Sequence, residues 1–190
     1  MMRAFIAVDI TPATIDKIST ALEPLKSRLN GLRWVTPSNI HLTLKFLGNV
    51  DEKKISAIGE ALADTLHPFQ RFTINAKGLG VFPSIKKPRV LWVGLDGNEL
   101  TTLAAAVDSA LAPLGFSRDE KIFTPHLTVG RWRQTERFDA EFEQELRNWR
   151  HYEFGATLVN EVILFESVLQ PAGAIYHRLK VVTLKTDRVS

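Results

Sequence analysis

The chain has 190 residues, 45% hydrophobic and 24% charged, with a formal net charge of +3 and a pI near 9.3. That length suffices for a sizeable core, and no apolar run approaches the roughly 18 residues needed to cross a bilayer. Without cysteine there are no disulfides or thiolate metal centres, which points to the cytoplasm. The slight basic excess fits an anionic partner without requiring one.

Residues 1–9 are apolar too briefly for a secretory signal, and Asp9 interrupts them. Residues 3–10 alternate loosely and read as a strand. Thr11-Pro12 reads as a helix start, and Ile15, Ile18, Leu22, Leu25 and Leu29 follow at helical spacing until Asn30-Gly31. Residues 33–35 form a short strand. Thr36-Pro37-Ser38 turns into a strand from His41 to Gly48-Asn49. Asp51 caps a second helix bearing Ile55, Ile58, Leu62 and Leu66. Residues 72–81 and 88–95 are two strands around the basic loop Ser84-Ile85-Lys86-Lys87-Pro88-Arg89.

Residues 98–114 form an Ala- and Leu-rich helix ended by Gly115, and Phe123-Thr124-Pro125 opens a strand running into Arg131-Trp132-Arg133. A charged helix over 138–149 follows, then strands over 157–169 and 175–183 joined by Gln170-Pro171-Ala172-Gly173. The alternation predicts a mixed α/β or α+β fold. No linker or composition shift divides the chain, so residues 1–190 are expected to form one large domain or two intimate lobes.

One pattern occurs once in each half: His41-Leu42-Thr43-Leu44 and His126-Leu127-Thr128-Val129. In a strand, residues two apart share a face. Each copy therefore shows an imidazole and a hydroxyl on one side and apolar residues on the other. Two imidazoles can divide acid and base work near neutral pH. Phosphodiester cleavage suits such a pair, because an attacking water loses a proton while the leaving ribose oxygen gains one. A threonine hydroxyl can donate to a non-bridging phosphate oxygen, and the scheme calls for no metal. One His-x-Thr is a weak motif that usually marks an ordinary strand histidine; two copies in matching contexts are far less easily accidental.

Zinc would need a third ligand that no neighbouring His, Cys or carboxylate supplies, and no Gly-x-Ser-x-Gly or cysteine supports a covalent nucleophile. His67, His151 and His177 read as helix-end or surface residues. Arg131, three residues after Thr128, suits phosphate binding, and Arg133 follows it on the same strand face. Lys45 is in phase with His41 and Thr43. Trp34, Phe82, Trp92 and Trp132 are of a kind that stacks on bases, although Trp92 and the out-of-phase Phe46 default to core.

Beyond these motifs, the chain resembles the bacterial and archaeal RNA 2′,3′-cyclic phosphodiesterases, also called 2′-5′ RNA ligases, of the two-histidine phosphoesterase superfamily. The resemblance runs through Arg3-Ala4-Phe5-Ile6-Ala7-Val8, Trp34 with the block Asn39 to Gly48, Val81-Phe82-Pro83 with Pro88-Arg89-Val90-Leu91-Trp92, the block Phe123 to Arg131, and Leu164-Phe165-Glu166-Ser167-Val168-Leu169 with Tyr176. It implies an α+β, bilobal fold with two pseudo-twofold-related lobes of antiparallel sheet, outer helices and a central cleft. It also implies metal-independent hydrolysis of RNA 2′,3′-cyclic phosphate ends to 2′-phosphomonoesters, with reversible 2′-5′ ligation as the same chemistry. In that reading His41 is the general acid and His126 the general base. Thr43, Thr128 and Arg131 hold the phosphate, no cofactor takes part, and the protein is a monomer that binds no membrane. The alternatives are a non-catalytic nucleotide- or RNA-binding module, and the same chemistry on another cyclic or ADP-ribose phosphoester.

Overall fold

The computed structural model describes residues 1–133, 140–171 and 173–186. The first half contains β1 (Met2–Asp9), α1 (Pro12–Lys26), β2 (Leu32–Trp34), β3 (His41–Val50), α2 (Ile55–Leu66) and β4 (Phe72–Phe82). The second contains β5 (Val90–Asp96), α3 (Asn98–Leu111), β6 (His126–Trp132), α4 (Ala140–Trp149), β7 (Glu153–Val159), β8 (Glu161–Gln170) and β9 (Gly173–Thr183). Local chemistry sets several of these ends. Pro12 opens α1, where a missing N–H breaks no bond. The Asp51 carboxylate accepts the Lys53 N–H at 3.0 Å ahead of α2. Gly115, at φ 90°, supplies the left-handed turn that ends the segment predicted over 98–114. Of the helix predicted over 138–149, residues 138 and 139 lie outside the described residues.

One prediction fails by topology. The strand expected over 157–169 is two strands, broken at Asn160 and sent to distant parts of the sheet. β7 pairs with β4, and β8 pairs with β1.

The strands form one curled sheet in the order β7-β4-β5-β6-β3-β1-β8-β9, with β2 alongside β6, and these pairs are antiparallel. The order is symmetric about its middle. The two His strands, β3 and β6, lie inside; β1 and β5 flank them, then β8 and β4, then β9 and β7. Helices cover one face: α1 contacts β7 and α4 contacts β4, whereas α2 and α3 pack together against β9 and β3. The last strand of the first half, β4, pairs with β5 of the second, and β8 returns to pair with β1. The halves interlock, which is why no linker separates them. The main core, with Ile18, Leu22, Leu42, Ile58, Leu62, Ile74, Leu91, Leu103 and Leu127, fills the space under the helices. A smaller cluster of Phe5, Ala7, Ile163 and Phe165 packs with Tyr176.

Both His strands carry the same interruption. Ala7 pairs with Thr43 but Ile6 with Lys45, leaving Leu44 as an extra residue. Trp92 pairs with Thr128 but Leu91 with Gly130, leaving Val129 extra. Such a bulge reverses the side-chain phase beyond it. Lys45, expected beside His41, is therefore buried under the sheet, where it ion-pairs with Asp108 of α3 and donates to the Ser117 carbonyl at 2.8 Å. Phe46, expected in the core, is 70% exposed beside Phe5, which itself touches His41.

Because Lys45 is only 3% exposed, its ammonium depends on those partners. Asp108→Ala leaves the ammonium only Asp119, at 3.6 Å, and the Ser117 carbonyl, and should lower the unfolding free energy by up to about 3 kcal/mol, the low end of the cost of breaking a buried ion pair. Urea denaturation measures it, and an unchanged midpoint would refute the assignment.

Candidate active site

The two central strands meet at a single pair, Leu42 opposite Leu127. In antiparallel register that pair puts His41 across from Thr128 and Thr43 across from His126. Leu42 and Leu127 are 1% and 0% exposed and point under the sheet, so the four polar residues project from the opposite face and are half-buried. His41 and His126 occupy one diagonal of this grid and the threonines the other. Diagonal neighbours across antiparallel strands stand about 7–8 Å apart. That spacing leaves room for one phosphoryl group between two imidazoles.

Each ring is oriented in the same way. Nδ1 of His41 lies 2.8 Å from the Asn39 carbonyl, and Nδ1 of His126 lies 2.7 Å from the Thr124 carbonyl. A carbonyl only accepts, so in each neutral ring Nδ1 carries the proton and Nε2 is left bare. Thr43 Oγ1 sits 3.1 Å from Nε2 of His41 and donates to it. Upstream, the Asn39 side-chain amide donates to the Ala174 carbonyl at 2.7 Å, anchoring the turn that presents His41.

Aromatic rings wall both imidazoles. Phe5 lies 4.9 Å and Tyr176 5.2 Å from His41, the latter edge-on at 89°. Phe82 lies 5.0 Å and Trp92 6.4 Å from His126. Burial among these rings dominates the acid–base behaviour. It drives the His41 pKa from 6.5 down to about 4, against the bond to Asn39 and with help from the charges of Arg131 and His126. His126 is also lowered, first by burial and then by Arg131, against its bond to Thr124. Burial raises the Tyr176 hydroxyl, opposed by Arg131 and Arg3. On the protein's own charges both imidazoles are neutral at pH 7.

The grid thus collects His41, Thr43, His126 and Thr128. Arg131 joins them through the second bulge, which turns it back to the His face; simple alternation from Thr128 would have sent it under the sheet. Its charge acts on both histidines and on Tyr176. Arg133 lies just past the end of β6 and is exposed. Among the aromatic candidates, Phe82 and Trp92 stand beside His126, so Trp92 is not the core residue expected. Its ring lies flat over Gly80, where a Cβ would come within 2.1 Å of it. Trp132 is 4% exposed in the core, and Trp34 packs against that core. Phe5 and Tyr176 were not singled out as wall residues from the sequence. The signal was present in Phe5, which shares a face with Ala7, opposite Thr43. His67 sits at the end of α2, and His151 and His177 are exposed. Among the described residues no three His, Asp or Glu side chains gather as a metal-ligand set, and no helix is long and apolar enough to cross a membrane.

A curled antiparallel sheet with one His-x-Thr strand from each half is the architecture of a phosphoesterase. The chain belongs to the LigT like phosphoesterase family, whose profile matches twice, over residues 8–92 and 93–176. The Archaeoglobus fulgidus protein named RNA 2′,3′-cyclic phosphodiesterase is 41% identical, covering 95% of this chain and 99% of its own. Its Methanothermobacter thermautotrophicus namesake is 39% identical over 96% and 99%. E. coli LigT, crystallised with 3′-AMP, shares the fold with a TM-score of 0.76 at 24% identity, covering 97% and 98% of the two chains.

The depressed histidine gives a stability signature. A group whose folded pKa lies below its unfolded value stabilises the fold above the unfolded pKa, and that contribution is lost as pH falls. Between about 6.5 and about 4 the unfolded chain takes up a proton that folded His41 refuses. Urea midpoints should therefore decline through that window, and His41→Gln should flatten the decline. Parallel profiles for the two proteins would show that His41 titrates normally.

Proposed function

We propose that the protein hydrolyses RNA 2′,3′-cyclic phosphate ends to 2′-phosphomonoesters without a metal, within a single bilobal unit of residues 1–190. The observation that carries this is the diagonal pair of imidazoles, each with a bare Nε2 on the same face and a threonine hydroxyl on the other diagonal. The named activity of full-length relatives at about 40% identity supports the substrate class. A monomer suffices, since one chain supplies both His strands. The lack of cysteine fits work in the cytoplasm.

His126 takes a proton from water as its oxygen attacks phosphorus; the bond from phosphorus to the 3′-oxygen breaks, and that oxygen takes a proton from His41. The product is a 2′-phosphomonoester beside a free 3′-hydroxyl. For His41 to serve as acid, the bound phosphate must offset the burial and the Arg131 charge that keep it neutral. Once His41 is protonated, its Nε2–H turns to the leaving 3′-oxygen, and the Thr43 proton that Nε2 had accepted is free to turn toward a phosphate oxygen. Thr128 and Arg131 complete the cradle. A ribose hydroxyl in place of water runs the same exchange of oxygens at phosphorus, which is 2′-5′ ligation when the nucleophile is a 5′-hydroxyl and the 2′-oxygen stays on phosphorus.

With a 2′,3′-cyclic-phosphate oligonucleotide, His41→Ala and His126→Ala should each lower kcat by about 10²- to 10⁴-fold without loss of fold. Unchanged turnover in either variant would sink the paired mechanism, and binding without product in the wild type would favour the non-catalytic reading. The pH–rate profile should be bell-shaped, and EDTA should leave the rate unchanged.

A further inference from the structure

β2 and β3 act as one interrupted partner of β6. Trp34 pairs with Gly130, the Val35 N–H donates to the Val129 carbonyl at 2.9 Å, and pairing resumes at Leu42–Leu127 after the excursion of residues 36–40. The cleft floor is thus a ladder of facing pairs: Thr43 with His126, His41 with Thr128, and, past the excursion, Arg33 with Arg131. The last pair is directly in register, flanked by Leu32 opposite Trp132. Leu32 and Trp132 are 8% and 4% exposed, under the sheet. Arg33 and Arg131 accordingly share the other face, and both are exposed. The row continues across Val90 to Phe82, the ring that abuts His126.

Like charges directly opposite across antiparallel strands destabilise the pair. Among the described residues, every ion pair is made by other side chains, so no carboxylate offsets these two guanidinium groups. A planar guanidinium pair matches phosphate oxygens. Arg131 acts electrostatically on both imidazoles, whereas Arg33 stands one strand spacing, about 4.8 Å, to its side. The reacting phosphate already has two imidazoles, two hydroxyls and Arg131; a second cation, Arg33, one strand farther along the floor suits a second phosphate.

We propose that Arg33, beside the Arg131 that holds the reacting phosphate, binds the backbone phosphodiester on the 5′ side of the terminal nucleotide, so that the site favours an RNA end over a free cyclic mononucleotide. This rests on the reaction proposed above.

The test compares kcat/KM for a 2′,3′-cyclic mononucleotide and for a short RNA ending in the same cyclic nucleotide. In Arg33→Ala the ratio of oligonucleotide to mononucleotide should fall on the order of tenfold. The salt slope for the oligonucleotide should become shallower by about 0.7, as one phosphate contact on a single strand is lost. Arg33→Gln keeps most of the side chain's bulk and should give the same change should the alanine variant prove unstable. Equal losses on both substrates, or no loss on either, would overturn the assignment. If the wild type opens neither substrate, the reaction has failed rather than this site, and the anisotropy of a labelled oligoribonucleotide decides: a tenfold weaker affinity in Arg33→Ala supports the phosphate contact, and an equal affinity removes it.

Discussion

Leu42 facing Leu127 is the one ladder pair joining β3 to β6, and the geometry of the candidate site hangs on it. A slip of one residue in either strand would turn its histidine and threonine under the helices and bring its leucine to the open face. Burial sets the register: both leucines are almost wholly enclosed, and exposing either would forfeit roughly 2 kcal/mol of apolar burial. Chemistry on one face is therefore positioned by the hydrophobic effect on the other. The symmetric order of flanking strands extends the constraint outward, because β1 and β5 supply the backs against which each His strand is held.

Much of this was legible in the chain because the relevant signal has period two and is short. Alternation alone sets His41 beside Thr43 and His126 beside Thr128, although their meeting depends on the Leu42–Leu127 pair, and α1 and α2 follow from apolar residues at helical spacing. The failures come where that period breaks. Lys45 and Phe46 exchange faces because Leu44 is inserted as a bulge, and nothing in Leu-Thr-Leu-Lys-Phe announces it. The strand predicted over 157–169 has no Gly or Pro where it divides; Asn160 alone makes the turn, and only tertiary pairing sends its two parts to β4 and β1. Trp92 looked like core since its neighbours Leu91 and Val93 are core, yet Gly80 on the adjacent strand opens a flat bed for its ring on the histidine face.

The aromatic walls and Arg131 act in the same direction on the imidazoles. Burial removes water from the charged form, and Arg131 opposes a second positive charge nearby. Both rings are consequently held neutral by the protein itself, and in the reaction proposed above the charge of the bound phosphate is what makes a donor of one of them. Pairing each Nδ1 with a backbone carbonyl fixes which nitrogen is exchanged. The protein spends stability at low pH to keep this arrangement.

The crossing of β4 and β8 has an evolutionary consequence. A chain carrying only the first repeat would own β1, β3 and β4 but lack β5, the strand that β4 needs beside it, and β8, which covers the edge of β1. It would complete its sheet by pairing with a second copy through the same two exchanges, placing the cleft on a dyad with two identical histidines. Fusion of such copies frees each half to diverge. The equivalent positions after the two bulges, Phe46 in one strand and Arg131 in the other, record that divergence: one half offers the cleft a ring and the other a charge.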